Sequence, residues 1–294
     1  MKKSTLFVAM AFAATTSFAQ LTSKNGEAYL PETDDWSIGI DATPFLNYAG
    51  QMLSNAGATA PTWNFLNANQ TIIGKMYTSE TSAYRAILRI GMTSNKSVAM
   101  IADATVTTAP TYPNLIAMKE DEMKAGTNFI GIGGGIEMRR GKTRLQGFYG
   151  GDAMIWSSGS KQTYTYGNTL AASGTIVTAA ASTNFGSNMT TDTYGNTARI
   201  TEMKAGRTTG FGLRGFIGAE YFIFPKISVG AEFGWGLGIT MTGASSTTME
   251  SVGGTPLSVG TQTIEGGKSS SLMLDVDRNA FGTGNGSLRL NLHF

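Results

Sequence analysis

The stretch from Ile227 to Met241 alternates strictly along its whole length. Every odd-numbered residue in it is apolar, and every even-numbered residue is Gly, Ser, Glu or Thr. Residues two apart share one face of a strand, whereas a helix would mix the two sets. The stretch is also long enough to cross a bilayer as a tilted strand. The pattern therefore predicts a long β-strand with one apolar face and one polar, glycine-rich face.

The same period-two pattern recurs in seven further segments, which are 36–45, 71–78, 83–93, 128–139, 144–156, 206–223 and 286–294. Short turns at 79–82, 140–143 and 224–226 alternate with long loops at 46–69, 94–125, 157–205 and 242–285. This arrangement is typical of an up-and-down barrel. We predict an all-β, transmembrane antiparallel barrel of eight strands, with short periplasmic turns and four long extracellular loops. Alternation at Leu272, Leu274 and Val276 leaves open a further strand segment above the bilayer, or ten strands.

The amino terminus predicts export. Lys2 and Lys3 precede a short apolar run over 6–14, and Ser17-Phe18-Ala19 has the small-x-small pattern of a cleavage site. We predict a signal peptide over 1–19 and a single barrel domain over 20–294. The chain has no cysteine, which excludes disulfides and a lipidated cysteine anchor. Without Lys2 and Lys3 the 22 basic residues fall to 20, equal to the 20 acidic ones, so no charge excess favours nucleic acid.

With the apolar face towards lipid, the charged residues of the strands point inward. The basic residues of this set are Lys75, Arg85, Arg89, Arg144, Arg214 and Arg289, and the acidic ones are Asp41, Glu137, Asp152, Glu220 and Glu232. The interior of an eight-stranded barrel is only just wide enough for side chains. Charges there persist when they are paired, so we predict a salt-bridged plug. The alternative is a narrow ion path lined by charged rings.

Three short patterns remain outside this scheme. The segment 122–126 recurs as 202–206, which predicts that the same kind of hairpin forms twice. The alternative is that the repeat is a functional motif. The segment 165–169 recurs as 193–197, which indicates either a small hairpin above the membrane or low-complexity drift. The acidic run 119–122 is expected to be solvated, although it could bind calcium.

The last strand carries a resemblance to known proteins. Leu288, Leu290, Leu292 and Phe294 share one face and the chain ends on an aromatic residue, which resembles the insertion signal of outer-membrane barrels, here Gly286, Leu288, Leu290, Leu292 and Phe294. The chain is similar to small OmpA/OmpX- or OmpW-like barrels of Bacteroidota-type bacteria. The residues that carry this resemblance are the last strand, the end of the signal peptide at 17–20, the opening strand 36–41 and the segment 275–277. The resemblance implies the outer membrane of a Gram-negative bacterium and an encounter with the barrel-insertion machinery.

The expected function follows from this architecture. Outer-membrane barrel enzymes with a similar architecture use a histidine base near the outer rim, but the single histidine, His293, belongs at the opposite end. We therefore predict no enzyme, no cofactor and no metal. The sequence predicts a structural or interaction protein of the cell surface, surrounded by outer-membrane lipid, whose loops contact another outer-membrane protein or an extracellular ligand. The alternative is a narrow pore or a small-molecule transport barrel.

Overall fold

The computed structural model describes residues 21–42, 71–173, 188–276 and 287–294, together with 48, 50–52, 176–177 and 185–186. The predicted signal peptide lies outside the described residues. The fold is all-β and antiparallel. Its strands are β1 (Trp36–Asp41), β2 (Ile72–Ser79), β3 (Ser82–Ala102), β4 (Met118–Arg140), β5 (Leu145–Thr165), β6 (Ala172–Ser173), β7 (Ile176–Val177), β8 (Met189–Thr191), β9 (Thr197–Lys204), β10 (Thr208–Phe224), β11 (Ile227–Thr242), β12 (Ser246–Gly253), β13 (Ser258–Glu265), β14 (Ser269–Val276) and β15 (Ser287–His293).

Eight of these strands pair into a closed ring. The order is β1–β2–β3–β4–β5–β10–β11–β15, and β15 returns to β1, where Asp41 lies opposite Arg289. Each ring strand overlaps one of the eight segments predicted from the alternation. The prediction of an all-β antiparallel fold is confirmed. Because the ring closes, each of the eight strands has a paired neighbour on both sides.

The connections differ at the two ends of the ring. Turns of a few residues join β2 to β3, β4 to β5 and β10 to β11, and the first residue of β1 and the last residue of β15 lie at that same end. We refer to it as the short-turn end. The long connections leave from the opposite end, the long-loop end. This agrees with the predicted alternation of short and long connections.

Three of the segments expected as loops, 94–125, 157–205 and 242–285, form strands over about half of their length. The β3–β4 pairing continues to Ala102 and Met118, and β5 runs on to Thr165. Past the point where β5 leaves β10, it pairs with β9, and β12 and β13 follow in the same sheet. Polar residues occupy both faces of these extensions. The hydrophobic period of two is lost there, although the backbone pairing persists.

The alternation at Leu272, Leu274 and Val276 belongs to β14. This strand pairs with residues 235–242 of β11, while β15 pairs with residues 227–232 of the same strand. β14 therefore occupies the same place beside β11 as β15, farther from the short-turn end. Among the described residues the ring therefore has eight strand positions around its circumference, and the ten-strand alternative is wrong for them.

The ring has an inverted distribution of polarity. Its outward side chains are mainly apolar and exposed, as for Ile90 at 63%, whereas the inward Arg85 is 3% exposed. The buried apolar cluster in the ring is small and consists of Ile73, Ile87, Met154 and Trp156, with Phe129 against it. No helix in the described part of the chain is long and apolar enough to cross a membrane.

Candidate functional site

The interior of the ring holds a group of buried charges near the short-turn end. We call it the short-turn cluster, and it consists of Lys75, Glu137, Arg139, Glu220 and His293. Lys75 Nζ lies 2.9 Å from Glu137 Oε2, and Arg139 Nη1 lies 3.0 Å from Glu137 Oε1. Arg139 Nη2 is 2.7 Å from Glu220 Oε2. Lys75 Nζ also lies 3.7 Å from Glu220 Oε2, so each of the two carboxylates, both 0% exposed, faces at least two cations.

Neutral polar groups complete the contacts of Glu220. Its Oε1 accepts hydrogen bonds from Asn291 Nδ2 at 2.6 Å and from the Ser228 hydroxyl. The same hydroxyl lies 3.0 Å from Nε2 of His293, which is 4% exposed. His293 was expected at the rim of the last strand. It lies at the short-turn end, as expected, but its ring is inside, because it shares the inward face of β15 with Asn291.

A second group of charges lies farther along the axis, towards the long-loop end. This middle cluster consists of Arg85, Asp152, Arg214, Glu232 and Arg289. Glu232 receives Arg214 Nη1 at 2.5 Å, Arg85 Nη2 at 3.0 Å and Arg289 Nη2 at 3.8 Å. Arg85 also lies 3.5 Å from Asp152 and 3.5 Å from Glu137. Arg85 thereby joins the two clusters into one network along the axis.

Glycines make room for these long side chains. Gly135 lies between Arg85 and Asp152 in the strand register, and a Cβ on it would stand 2.2 Å from Asp152 Oδ1. A Cβ on Gly234 would stand 2.5 Å from Arg214 Nε. The glycine-rich polar faces seen in the sequence therefore let arginines reach across an interior that larger side chains would fill.

The structure brings together eight of the eleven predicted interior charges. Arg89 instead stacks on Phe129, with Cζ 4.6 Å from the ring centre. Arg144 donates to the carbonyl oxygens of Phe222, at 2.8 Å, and Ile223. The side chain of Asp41 lies outside the described residues. Arg139 was missed, although it stands two residues after Glu137 and so shares its inward face.

A second polar region forms in the sheet at the long-loop end. The two copies of the pentapeptide have different positions there, since the copy at 165–169 leaves β5 and the copy at 193–197 covers most of the turn between β8 and β9. Asn168 of the first copy donates to Ala102 O at 2.9 Å and so ties β5 to the end of β3. The expected small hairpin is therefore the β8–β9 hairpin around the second copy alone.

The β8–β9 turn borders an open cavity of about 380 Å³. The carboxylate of Asp192 forms one wall and accepts hydrogen bonds from Ser251 Oγ at 2.7 Å and from Asn196 Nδ2 at 2.9 Å. These contacts lower the pKa of Asp192 to about 2, the Ser251 hydrogen bond contributing most. Tyr194, at 82% exposure, and Gln262 line the opening. The cavity therefore offers amide and hydroxyl groups and an aromatic ring, with its one acid already occupied.

Asp192→Asn is expected to loosen this turn. The new amide places a donor against the donors of Ser251 and Asn196, so at pH 7 chymotrypsin should cleave after Tyr194 about five- to tenfold faster. In the unchanged protein the carboxylate supports the turn fully above pH ~4 and loses this effect as the pH falls through its pKa of about 2. Cleavage after the exposed Leu115 serves as the internal control. Equal acceleration at both sites would contradict the role of Asp192.

The acidic run 119–122 does not converge on one point. Lys119 pairs with Asp103 at 2.9 Å, Asp121 accepts from the Gly167 N–H at 2.9 Å, and Glu122 pairs with lysines on the outward face. Across the described ranges no three His, Cys, Asp or Glu side chains come together as a metal site. The calcium alternative thus has no support among these residues.

Comparisons of the chain with protein-family models, with curated proteins and with solved structures found no match. The geometry of the ring and its network is therefore the basis for a functional assignment.

Proposed function

We propose that the chain is an integral outer-membrane β-barrel of a Gram-negative bacterium, exported by the signal peptide at 1–19, and that it acts as a structural or interaction protein through its surface loops. The observation that carries the proposal is the inverted ring. Its outward face is apolar around the circumference, while its charges are buried inside. In water such a surface would aggregate, whereas in a bilayer it is the expected arrangement.

Aromatic side chains support this orientation. Exposed aromatic residues lie close to the short-turn end on several strands; they are Trp36, Tyr84, Tyr149, Phe224 and Phe294. Rings at this position match the aromatic girdle at a membrane interface. The short turns would then face the periplasm, and the long-loop end would face the outside.

The interior supports a closed barrel better than a pore. Cations and carboxylates alternate along the axis and neutralise one another, and the rings of Phe148, Phe216 and Phe222 are buried between them. A selective ion path would need charges of one sign facing water. Mixed, mutually paired charges instead favour a plug.

The proposed interaction surface is the sheet at the long-loop end. It extends the wall of β3, β4 and β5 beyond the ring and adds β9, β12 and β13. The cavity beside Tyr194 gives this sheet a concave, polar opening whose one carboxylate, Asp192, is already hydrogen-bonded within the wall. Another outer-membrane protein or an extracellular ligand would bind there, and the barrel would hold this surface outside the cell.

The proposal predicts a heat-modifiable membrane protein that is extracted together with a partner. Unheated protein should migrate differently from boiled protein in a denaturing gel, and planar bilayers containing it should stay electrically silent. Gentle detergent extraction should recover a partner with the wild type. Tyr194→Ala should lose at least about half of it, since exposed aromatic anchors dominate many interfaces.

The matched control is Tyr112→Ala, because Tyr112 is also a highly exposed tyrosine and lies on another connection at the long-loop end. Its partner recovery should equal that of the wild type. Loss of the unheated gel shift would contradict the barrel, and stable conductance steps would contradict the plug. A wild-type chain that always emerges alone and binds no cell surface would contradict the interaction role.

A further inference from the structure

The repeated segment Glu-Met-Lys builds the same charged cluster twice. Glu122 lies between Lys96 and Lys124, at 2.5 and 2.7 Å. Glu202 lies between Lys161 and Lys204, at 2.6 and 2.5 Å. In each copy the glutamate and one lysine come from the repeat, and the second lysine comes from the adjacent strand. The interior network uses none of these six residues, so they serve some other purpose.

The strand register explains why the copies are alike. Lys96 of β3 lies directly opposite Lys124 of β4, and Lys161 of β5 lies directly opposite Lys204 of β9. Because β4 also pairs with β5, with Gly126 opposite Lys161, the two clusters stand side by side on one wall. We call them together the lysine belt.

The lysine belt lies on the outward face, just beyond the apolar band. Along β3, the 78% exposed Met92 precedes Lys96 by four residues on the same face. At ~3.3 Å per residue and with the tilt of a barrel strand, this separation is about 10 Å along the barrel axis. Polar headgroups extend about 5–8 Å beyond the hydrocarbon core, so a lysine side chain that points back along the strand reaches them. In the proposed orientation the belt therefore stands at the headgroups of the outer leaflet.

The lysine belt keeps an excess of positive charge. Each glutamate neutralises one of its two lysines, and all four lysine side chains remain slightly more than half exposed. Arg207 joins the same face, where it donates to Ser157 Oγ at 2.8 Å, and Glu120 adds one further carboxylate near Lys96. Five cations thus stand against three carboxylates. A lysine ammonium has three donors, so each keeps donors for another anion.

Hydrogen bonds fix the charge state of the belt. Those from Lys124 and Lys96 lower the pKa of Glu122, and those from Lys161 and Lys204 lower the pKa of Glu202. Both carboxylates are therefore ionised at neutral pH, and each offsets the charge of one of its two lysines. Removing a carboxylate would raise the net positive charge of the belt.

We propose that the lysine belt binds the phosphate groups of an outer-leaflet glycolipid. This inference rests on the proposed membrane orientation. Phosphate is the anion that suits ammonium donors at a headgroup surface, and each nearby lysine or arginine strengthens such binding. The apolar wall below, with Met92, Ile130 and Ile155 exposed, would contact the acyl chains of the same molecule. A single glycolipid molecule would then contact both the lysine belt and the apolar band beneath it.

The test measures lipid binding by native mass spectrometry on the full chain in detergent. The probes are a diphosphorylated diglucosamine glycolipid, the same lipid after phosphatase treatment, and soluble glucosamine phosphate. Only protein that shows the unheated gel shift is used, so a failure of the barrel proposal is recognised before any lipid is added. The phosphorylated lipid should bind at least about tenfold more tightly than either of the other probes.

Substitutions that remove positive or negative charge from the belt should change the affinity for the lipid in opposite directions. Lys96→Gln with Lys124→Gln should weaken binding of the phosphorylated lipid about tenfold, and Glu122→Gln with Glu202→Gln should strengthen it about threefold. The control pair, Lys24→Gln with Lys142→Gln, removes two exposed lysines at the short-turn end and should change nothing. Equal binding of the dephosphorylated lipid, equal affinity for the soluble phosphate, or equal loss in the control pair would each overturn the proposal.

Discussion

Replacing Glu137 by glutamine should lower the free energy of unfolding by about 3–5 kcal/mol. Glutamine keeps the volume of the side chain but removes its charge. Lys75, Arg85 and Arg139 would then face a neutral amide at a position with 0% exposure. Lys75 and Arg139 would keep Glu220, and Arg85 would keep Glu232 and Asp152. The five lysine and arginine cations of the two clusters would, however, face only three carboxylates, and uncompensated charge in a buried interior is strongly unfavourable.

The measurement is urea unfolding in detergent micelles, followed by the loss of the unheated gel band. Glu122→Gln is the matched control, because Glu122 also lies between two cations but its side chain is 21% exposed. Solvent screens a carboxylate at the surface, so Glu122→Gln should leave the urea midpoint nearly unchanged. If the two variants unfolded at the same urea concentration, the interior network would not be what stabilises the ring.

There is a physical reason why the strands of the ring were predictable from the sequence and their extensions were not. The strands of the ring were predictable because one face is apolar and the other is polar, so the contrast has a period of two. The extensions of β3, β4 and β5 lack this contrast, since polar residues occur on both faces, as Asn95 and Lys96 do in β3. Backbone pairing holds these extensions together without leaving a hydrophobic pattern in the sequence.

The same limit applies to the charged interior. Alternation places Glu137, Glu220 and Glu232 on the inward faces, and the structure brings them to shared cations. It does not say which charges meet, because that depends on the offset between neighbouring strands. Arg144 illustrates this, since it stacks on Tyr29, with 4.0 Å between Cζ and the ring centre. Tyr29 belongs to a segment without any strand pattern.

The cavity at the long-loop end was not predictable at all. Asp192 and Ser251 are far apart in the sequence and neither stands in a recognisable motif. Only the pairing of β12 with β9 brings them together. The two copies of the pentapeptide make different contacts, so the repeat does not predict the cavity.

Gly150→Ala is the second substitution expected to have a large effect. A Cβ at this position would stand 2.0 Å from the Ile136 carbonyl oxygen and 2.6 Å from Cζ of Phe216. The carbonyl belongs to the backbone of β4 and cannot move without disturbing the β4–β5 ladder. Phe216 supports the guanidinium of Arg85, whose Cζ lies 3.9 Å from the ring centre. One methyl group would therefore disturb both the wall and the middle cluster.

We expect Gly150→Ala to lower the free energy of unfolding by about 2–4 kcal/mol, measured by urea unfolding in detergent. Gly147→Ala is the control on the same strand. Its Cβ would meet the Arg140 carbonyl oxygen at 3.6 Å, an ordinary contact, on the outward face. That substitution should be neutral or stabilise by about 0.4–1 kcal/mol, because alanine restricts the unfolded chain. The two substituted residues lie only three positions apart in β5. An equal loss of stability in both variants would therefore mean that glycine is needed for the strand itself. A loss confined to Gly150→Ala would instead mean that the interior has no room for even one more methyl group, as a plugged barrel requires.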